Sequence, residues 1–254
     1  MCTEMRNPAR SGQSPGAPGF ASETWETVPP SPTVHPHAAG FVLAGGQSTR
    51  MGQDKALLTV AGQRLIVHAL SILREAGLSA SIAGARSQLA SFAPVVEDAE
   101  PGLGPLAGIC AALASISARH AVFVPRHAVF VPVDLPLLPA SLLRFLLHHA
   151  EITGRAVTVP SLNGFALTFP AIVDRAALPA LRADLAAGRR GCFAAFQAAA
   201  AALGQTVSTL AVELLVQSGQ VDHPSGLPAV RWFLNLNTPA DLDLVSAQIP
   251  SAID

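Results

Sequence analysis

From Phe41 onward, apolar runs of strand length alternate with stretches of helical period. Phe41-Val42-Leu43-Ala44 is a short unbroken apolar run and reads as a buried strand. Gln63 to Ala76 places Leu65, Ala69, Leu70 and Leu73 at helical spacing, with Gly77 as the stop. Ser79 to Ala83 and Pro94 to Glu97 are strand candidates. Pro105 to Ile116 follows a Gly/Pro-rich turn and reads as an apolar helix. Ala128 to Val133 reads as a buried strand, and Pro139 to His149 as a helix that buries Leu142, Leu143, Leu146 and Leu147. The second half is less regular. Ala156 to Pro160 and Phe165 to Phe169 read as strands, and Ala171 to Ala187 and Cys192 to Leu203 as Ala-rich helices. Trp232 to Asn235 reads as a last strand. Thr238 to Ala247 reads as a last helix, capped by Thr238 with Pro239 at its first position. Strand–helix alternation of this kind predicts an α/β fold, a mostly parallel sheet with helices on both faces. Ligands in such sheets sit beyond the carboxyl ends of the strands.

Residues 1–38 are of another kind. Pro, Ser, Gly and Thr dominate, as in Ser14-Pro15-Gly16-Ala17-Pro18-Gly19, and such a stretch buries too little apolar surface to offset its ordering entropy. It is expected to be a disordered tail, with residues 39–250 as a single domain. It has no continuous apolar core of the secretory kind after Arg6 or Arg10. One local repeat interrupts the pattern: Arg119 to Pro125 reads Arg-His-Ala-Val-Phe-Val-Pro, and Arg126 to Pro132 repeats it unchanged. Only the second copy runs directly into Val133-Asp134, so that copy is expected in the sheet.

Composition narrows the function classes. Half of the 254 residues are hydrophobic, 13% are charged, and the formal net charge is −1, with no long basic run. Nucleic acid is not expected as a main partner, nor a membrane, since no apolar run reaches the length of a span. The three cysteines, Cys2, Cys110 and Cys192, are far apart and odd in number, which fits a reducing, cytoplasmic setting.

The chemistry concentrates where the first strand ends. Gly45 and Gly46 follow Leu43-Ala44, and the loop beyond carries Arg50 and closes on Lys55. Paired glycines let backbone approach a bulky anion; the Arg50 guanidinium and Lys55 ammonium suit phosphate oxygens. Neither G-x-x-x-x-G-K-[ST] nor G-x-G-x-x-G is present. Asp134 follows a buried strand, and Glu97-Asp98 follows Val95-Val96 in the same way. A carboxylate there suits Mg2+ shared with substrate phosphates, or serves as a turn former or helix cap. Gly102-Leu103-Gly104-Pro105-Leu106-Ala107-Gly108 either turns its amides to a ligand or forms a tight turn with close packing at Gly108. Asn235 and Asn237 could bind a ligand or satisfy local backbone. No histidine has metal-ligand spacing, and no partner for Ser48 or Thr49 marks a covalent nucleophile.

Taken in order, Leu43-Ala44-Gly45-Gly46 with Arg50-Met51-Gly52 and Asp54-Lys55, Glu97-Asp98, Gly104-Pro105-Leu106-Ala107-Gly108, Asp134-Leu135-Pro136 and Asn235-Leu236-Asn237-Thr238-Pro239 resemble the molybdenum cofactor guanylyltransferases. The resemblance runs from about Gly40 to Val245. It implies a three-layer α/β/α sandwich with a Rossmann-like, mostly parallel sheet of the nucleotide-diphospho-sugar transferase type. It also implies the reaction: GTP and a molybdopterin form of the cofactor give the guanine dinucleotide cofactor and pyrophosphate. Carried over by motif, Leu43, Ala44, Gly45 and Gly46 contact GTP, Lys55 its phosphates, Asp98 the nucleotide, and Asp134 both Mg2+ and nucleotide. Arg50 helps neutralise the leaving pyrophosphate. Molybdoenzyme apoproteins or maturation chaperones are the partners it implies beyond the substrates. Two departures stand out. The family's Asn after the third strand is missing around Ala83-Gly84-Ala85, and its acceptor-side segment is reduced to Ser161-Leu162-Asn163-Gly164-Phe165. The alternatives are a molybdopterin cytidylyltransferase and a catalytically weak GTP-binding accessory of molybdoenzyme maturation.

Overall fold

A computed structural model of the chain describes Met1 and residues 35–44, 54–84, 87–98, 102–117 and 124–248. The first strand, β1 (Ala38–Leu43), is followed by a small hairpin of β2 (Thr59–Val60) and β3 (Gln63–Arg64), then by α1 (Leu65–Glu75), β4 (Ser79–Ala83) and β5 (Val95–Val96). Helix α2 (Pro105–Ser117) leads to β6 (His127–Pro132), and α3 (Ala140–Thr153) to β7 (Val157–Leu162). The two-residue β8 (Phe165–Ala166) folds back on β7. The chain continues through β9 (Ala171–Asp174), α4 (Leu178–Ala186), α5 (Cys192–Ala202), β10 (Ser208–Ala211), α6 (Val212–Gln217), α7 (Ala229–Trp232) and α8 (Pro239–Ser246).

The main sheet runs in the order β10-β7-β9-β6-β1-β4-β5, with β8 beside β7. Pairs β1/β4, β1/β6, β4/β5 and β10/β7 are parallel; β9 alone among these runs antiparallel, to both β6 and β7. After β1 the chain builds outward through β4 and β5, then crosses back by α2 to place β6 on β1's other side. The carboxyl ends of β1 and β6 therefore flank the point where strand order reverses, the usual crevice for a ligand in an open α/β sheet.

Alternation along the central strands sorts side chains between two cores. Ala38 and Val42 of β1, Val129 and Val131 of β6 and Ile82 of β4 pack with the leucines of α1 and α3 on one face. Ala39, Phe41 and Leu43, with Ala128 and Phe130, face α2, α4 and α5 on the other. The Phe41 and Phe130 rings stack there at 5.7 Å. Gly40 lets the strand lie close to α1 on the first face, since a Cβ on it would lie 3.0 Å from Leu73 Cδ2 and the leucine would have to give way. The expected three-layer α/β/α arrangement with a mostly parallel sheet is the one observed. Helix α3 buries Leu142, Leu143, Leu146 and Leu147 as its pattern predicts, and runs on until Gly154 ends it at φ 62°.

Three expectations are corrected. Ala171 to Ala187 is not one helix: Ala171–Asp174 is strand β9, buried throughout. Ile172 and Val173 are β-branched and sit between two strands, where burial outweighs the helical pattern of the residues after them. Helix begins only after Asp174 caps the Ala176 N–H at 2.9 Å. Trp232 to Asn235 is not a strand either. Trp232 closes α7, is buried, and donates its Nε1–H to the Leu227 carbonyl at 2.8 Å. Of Phe165 to Phe169, only Phe165–Ala166 is extended in the sheet.

Most of the expected tail lies outside the described residues, but its last residues belong to the fold. The His35 N–H donates to Gly77 O at 2.8 Å, and Ala38 opens β1. The second copy of the seven-residue repeat forms β6, paired on both sides. Of the first copy, Arg119 to Phe123 lie outside the described residues, and Val124 and Pro125 are in no strand.

Candidate active site

The carboxyl ends of β1, β4, β5 and β6 are tied into a rim by backbone bonds that continue past the strands. Ala44 N–H donates to Ala83 O (3.2 Å), Gly84 N–H to Val96 O (3.1 Å) and Val133 N–H to Leu43 O (3.2 Å). Leu43 and Ala44 therefore lie between Ala83 and Val133, with Asp98 beyond β5 and Asp134 beyond β6. Gly45, Gly46 and Arg50 lie outside the described residues.

Chain emerging from that loop is caught at Asp54, which caps a single 3₁₀ turn, Lys55–Leu57. Asp54 Oδ1 accepts the Ala56 N–H at 3.1 Å, Oδ2 accepts from Gln88 Nε2 at 2.7 Å, and Ala56 is buried. This anchoring aims Lys55 across the crevice. Its Nζ donates to Asp134 Oδ2 at 3.3 Å and to Asn237 Oδ1 at 2.7 Å. The Lys55 and Asp134 side chains are 19% and 25% exposed, so the pair is shielded yet reachable.

Asp134 is held from behind: its carbonyl accepts the Leu236 N–H at 3.0 Å. Leu236 is buried, which brings Asn237 over the crevice just before α8. A reciprocal capping box starts that helix. Thr238 Oγ1 accepts the Asp241 N–H at 3.3 Å, while Asp241 Oδ2 accepts the N–H groups of Thr238 (2.7 Å) and Asn237 (2.9 Å). Those backbone donors hold the Asp241 carboxyl below its ordinary pKa.

Asp98 sits apart from this pair, at the end of β5. Its Oδ1 is buried with no hydrogen-bond partner among the described residues, and burial raises its pKa. Gly108 makes the space: a Cβ there would lie 3.3 Å from Asp98 Oδ1 and 3.7 Å from the Ala83 carbonyl carbon. Of the two readings of the Gly102–Gly108 stretch, close packing is the observed one at Gly108, and Gly102 and Gly104 make the turn at φ 87° and 84°.

The sequence-predicted residues thus fall into one connected group, Lys55 with Asp134, and two positions on the same rim, Leu43-Ala44 and Asp98. Asn235 is exposed, and no bond joins it to the group among the described residues. Asn237 is the residue whose part sequence leaves open. The capping signature of Thr238 and Asp241 marks where its backbone is pinned, but its partner lies 182 residues away.

Residues 40–206 match the family model of the MobA-like NTP transferase domain. The chain belongs to this family. Among relatives, a protein of Carboxydothermus hydrogenoformans named probable molybdenum cofactor guanylyltransferase is 30% identical over 203 residues, 80% of this chain and 91% of that one. A molybdenum cofactor guanylyltransferase of Xanthomonas euvesicatoria is 43% identical over 109 residues, 42% of this chain. The chain spans about half the length of that protein (52%). The crystal structure of molybdopterin-guanine dinucleotide biosynthesis protein A from Archaeoglobus fulgidus superposes with a TM-score of 0.64 at 22% identity, over 82% of this chain and 97% of that one. At that identity the likeness establishes the MobA-like fold.

Proposed function

We propose that this chain transfers GMP from GTP to the terminal phosphate of the molybdenum–molybdopterin cofactor, releasing pyrophosphate. The observation that carries the reading is the Lys55 ammonium held beside the Asp134 carboxylate at the β1/β6 switch point, in a chain of the MobA-like family. A cation for phosphates and an acid for a metal meet where a nucleotide enters such a sheet.

In the reaction an oxygen of the acceptor's terminal phosphate attacks the α-phosphorus of GTP, and the bond from that phosphorus to the bridging oxygen of pyrophosphate breaks. Two anions must meet, so charge neutralisation and alignment supply most of the catalysis. Lys55 donates to phosphate oxygens and stays oriented by its bonds to the rim. Arg50 serves the leaving pyrophosphate. Leu43, Ala44, Gly45 and Gly46 bring backbone against the nucleotide. Asp98 offers a buried acceptor with no hydrogen-bond partner among the described residues, suited to the donor edge of guanine, which carries N1–H and N2–H groups.

Asp134 fits Mg2+. It is one hard oxygen donor on a backbone-pinned strand end, and Mg2+ commonly takes one or two carboxylates with waters and substrate phosphates. No group of three or more His, Cys, Asp or Glu among the described residues forms a protein-only cage. When bound, Mg2+ would offset charge on the triphosphate. Free Cys110 and Cys192 suit a reducing, cytoplasmic setting.

The test is pyrophosphate release by the purified protein with Mg2+, molybdopterin cofactor and each nucleoside triphosphate in turn. Release with GTP alone is expected. Release with CTP would move the assignment to cytidylyl transfer. GTP binding without release would leave an accessory role.

A further inference from the structure

We infer that Asn237 is a positioning residue for Lys55: its neutral amide oxygen draws the ammonium off Asp134 and keeps both groups open to nucleotide. The inference rests on the nucleotidyl-transfer reading of the site. Lysine only donates, so the oxygen of Asn237 must face Nζ. That bond is 2.7 Å, whereas the bond to the oppositely charged Asp134 is 3.3 Å. An unrestrained ammonium–carboxylate contact closes to about 2.7–2.9 Å. The order is reversed here, with the neutral acceptor holding the shorter bond.

The reversal has a use. A lysine closed tightly on Asp134 would spend its charge there and cover the carboxylate oxygen on which the metal role depends. Held by Asn237, Lys55 commits one N–H to the amide and one, at long range, to Asp134. The ammonium has three N–H groups, so a third has no partner among the described residues and suits phosphate. Asn237 is itself fixed. Its N–H is gripped by Asp241 within the α8 cap, and the preceding Leu236 N–H is bonded to the Asp134 carbonyl. The α8 cap and the β6 terminus thereby set the distance between lysine and aspartate. Neutrality matters as much as reach, since a carboxylate at 237 would hold Lys55 and repel the triphosphate.

The test is calorimetric titration of GTP, without acceptor, into wild type, N237A, N237D, K55M and K55M/N237A, with and without Mg2+. Asn237 is exposed, so the substitutions at 237 remove no core packing. K55M is expected to weaken GTP binding about tenfold or more, the worth of a hydrogen bond to a charged group. N237A is expected to weaken it by about fivefold and to raise the Mg2+ concentration needed for half-maximal GTP binding. N237D is expected to weaken it further. The double variant should bind no worse than K55M, because Asn237 acts through the lysine. Additive losses in the double variant would overturn the inference, as would unchanged GTP binding in N237A with a raised KM for the acceptor. Unchanged GTP binding in K55M would overturn it too, and with it the phosphate role of Lys55 in the underlying reading; the first two results leave that reading standing.

Discussion

Replacing Gly108 with alanine should separate stability from nucleotide binding. Gly108 lies inside α2, where glycine is worse than alanine by roughly 0.5–1 kcal/mol, so the backbone alone would gain from the change. The new methyl would stand 3.3 Å from Asp98 Oδ1, and 3.7 Å from both the carbonyl carbon and the Cβ of Ala83. The contacts with Ala83 are ordinary. The contact with the carboxylate is tight, so the carboxylate must yield by a few tenths of an ångström. Its buried oxygen already has no partner among the described residues, and it would be displaced from the position that we expect to meet a guanine donor. A hydrogen bond to a charged group is worth about 1.5–3 kcal/mol, and a partial displacement would forfeit about 1 kcal/mol, or about fivefold in Kd. Thermal unfolding and GTP titration on the same preparation decide the matter. G108A is expected to melt at or above the wild-type temperature while binding GTP several-fold more weakly. Unchanged GTP affinity would refute the role given to Asp98. A fall in melting temperature with unchanged affinity would show that Gly108 serves helix–sheet packing alone.

Three further expectations can be checked. Replacing Asp134 with alanine should reduce pyrophosphate release by at least about 100-fold, the scale of losing one fixed electrostatic group from a reacting centre; near wild-type turnover in Mg2+ would contradict its metal role. In K55M the KM for GTP should rise and turnover fall together, measured by steady-state kinetics. His127 is buried at the opposite end of β6, its ring nitrogens without a hydrogen-bond partner among the described residues and Nε2 4.0 Å from Asp174 Oδ2, and burial lowers its pKa more than Asp174 raises it. Arg126 adds to the lowering and Glu151 opposes it. A folded pKa below the unfolded value of about 6.5 means that the unfolded state takes up the proton first. The contribution of neutral His127 is therefore complete above about pH 6.5 and is lost as pH falls toward its folded value. Denaturant melts between pH 7.5 and 5 should show that decline, and H127L should flatten it.

Much of the fold was legible because its signals are local. Leu142, Leu143, Leu146 and Leu147 repeat at helical spacing, and Thr238-Pro239 announces a helix start in two residues. The failures fell where distant chain decides the conformation. Ala171-Ile172-Val173-Asp174 is extended because β6 and β7 enclose it, and nothing within those four residues reports two neighbouring strands. Trp232 is fixed by one indole bond and by burial rather than by alternation. At the site, residue types and order showed that a cation and an acid belong at strand ends. Their contact could not be read, because Lys55, Asp134 and Asn237 come from three separate parts of the chain and meet only through the rim.

The repeated heptad gives β6 a twin. Either copy offers Ala-Val-Phe-Val-Pro to the same slot with the same faces presented, so the strand itself does not discriminate between two threadings. Discrimination comes from the residues on the carboxyl side of each copy. After the second copy come Val133, Leu135, Leu137 and Leu138, all buried; after the first would come Arg126 and His127. A lesion within the second copy, such as F130D, has a remedy denied to most cores: the chain can slip by seven residues and seat Phe123 in its stead. The slip would carry Asp134 away by up to about 23 Å of extended chain. Damage to this strand should then produce molecules that fold and do not work, a class of loss that a screen for soluble expression would pass.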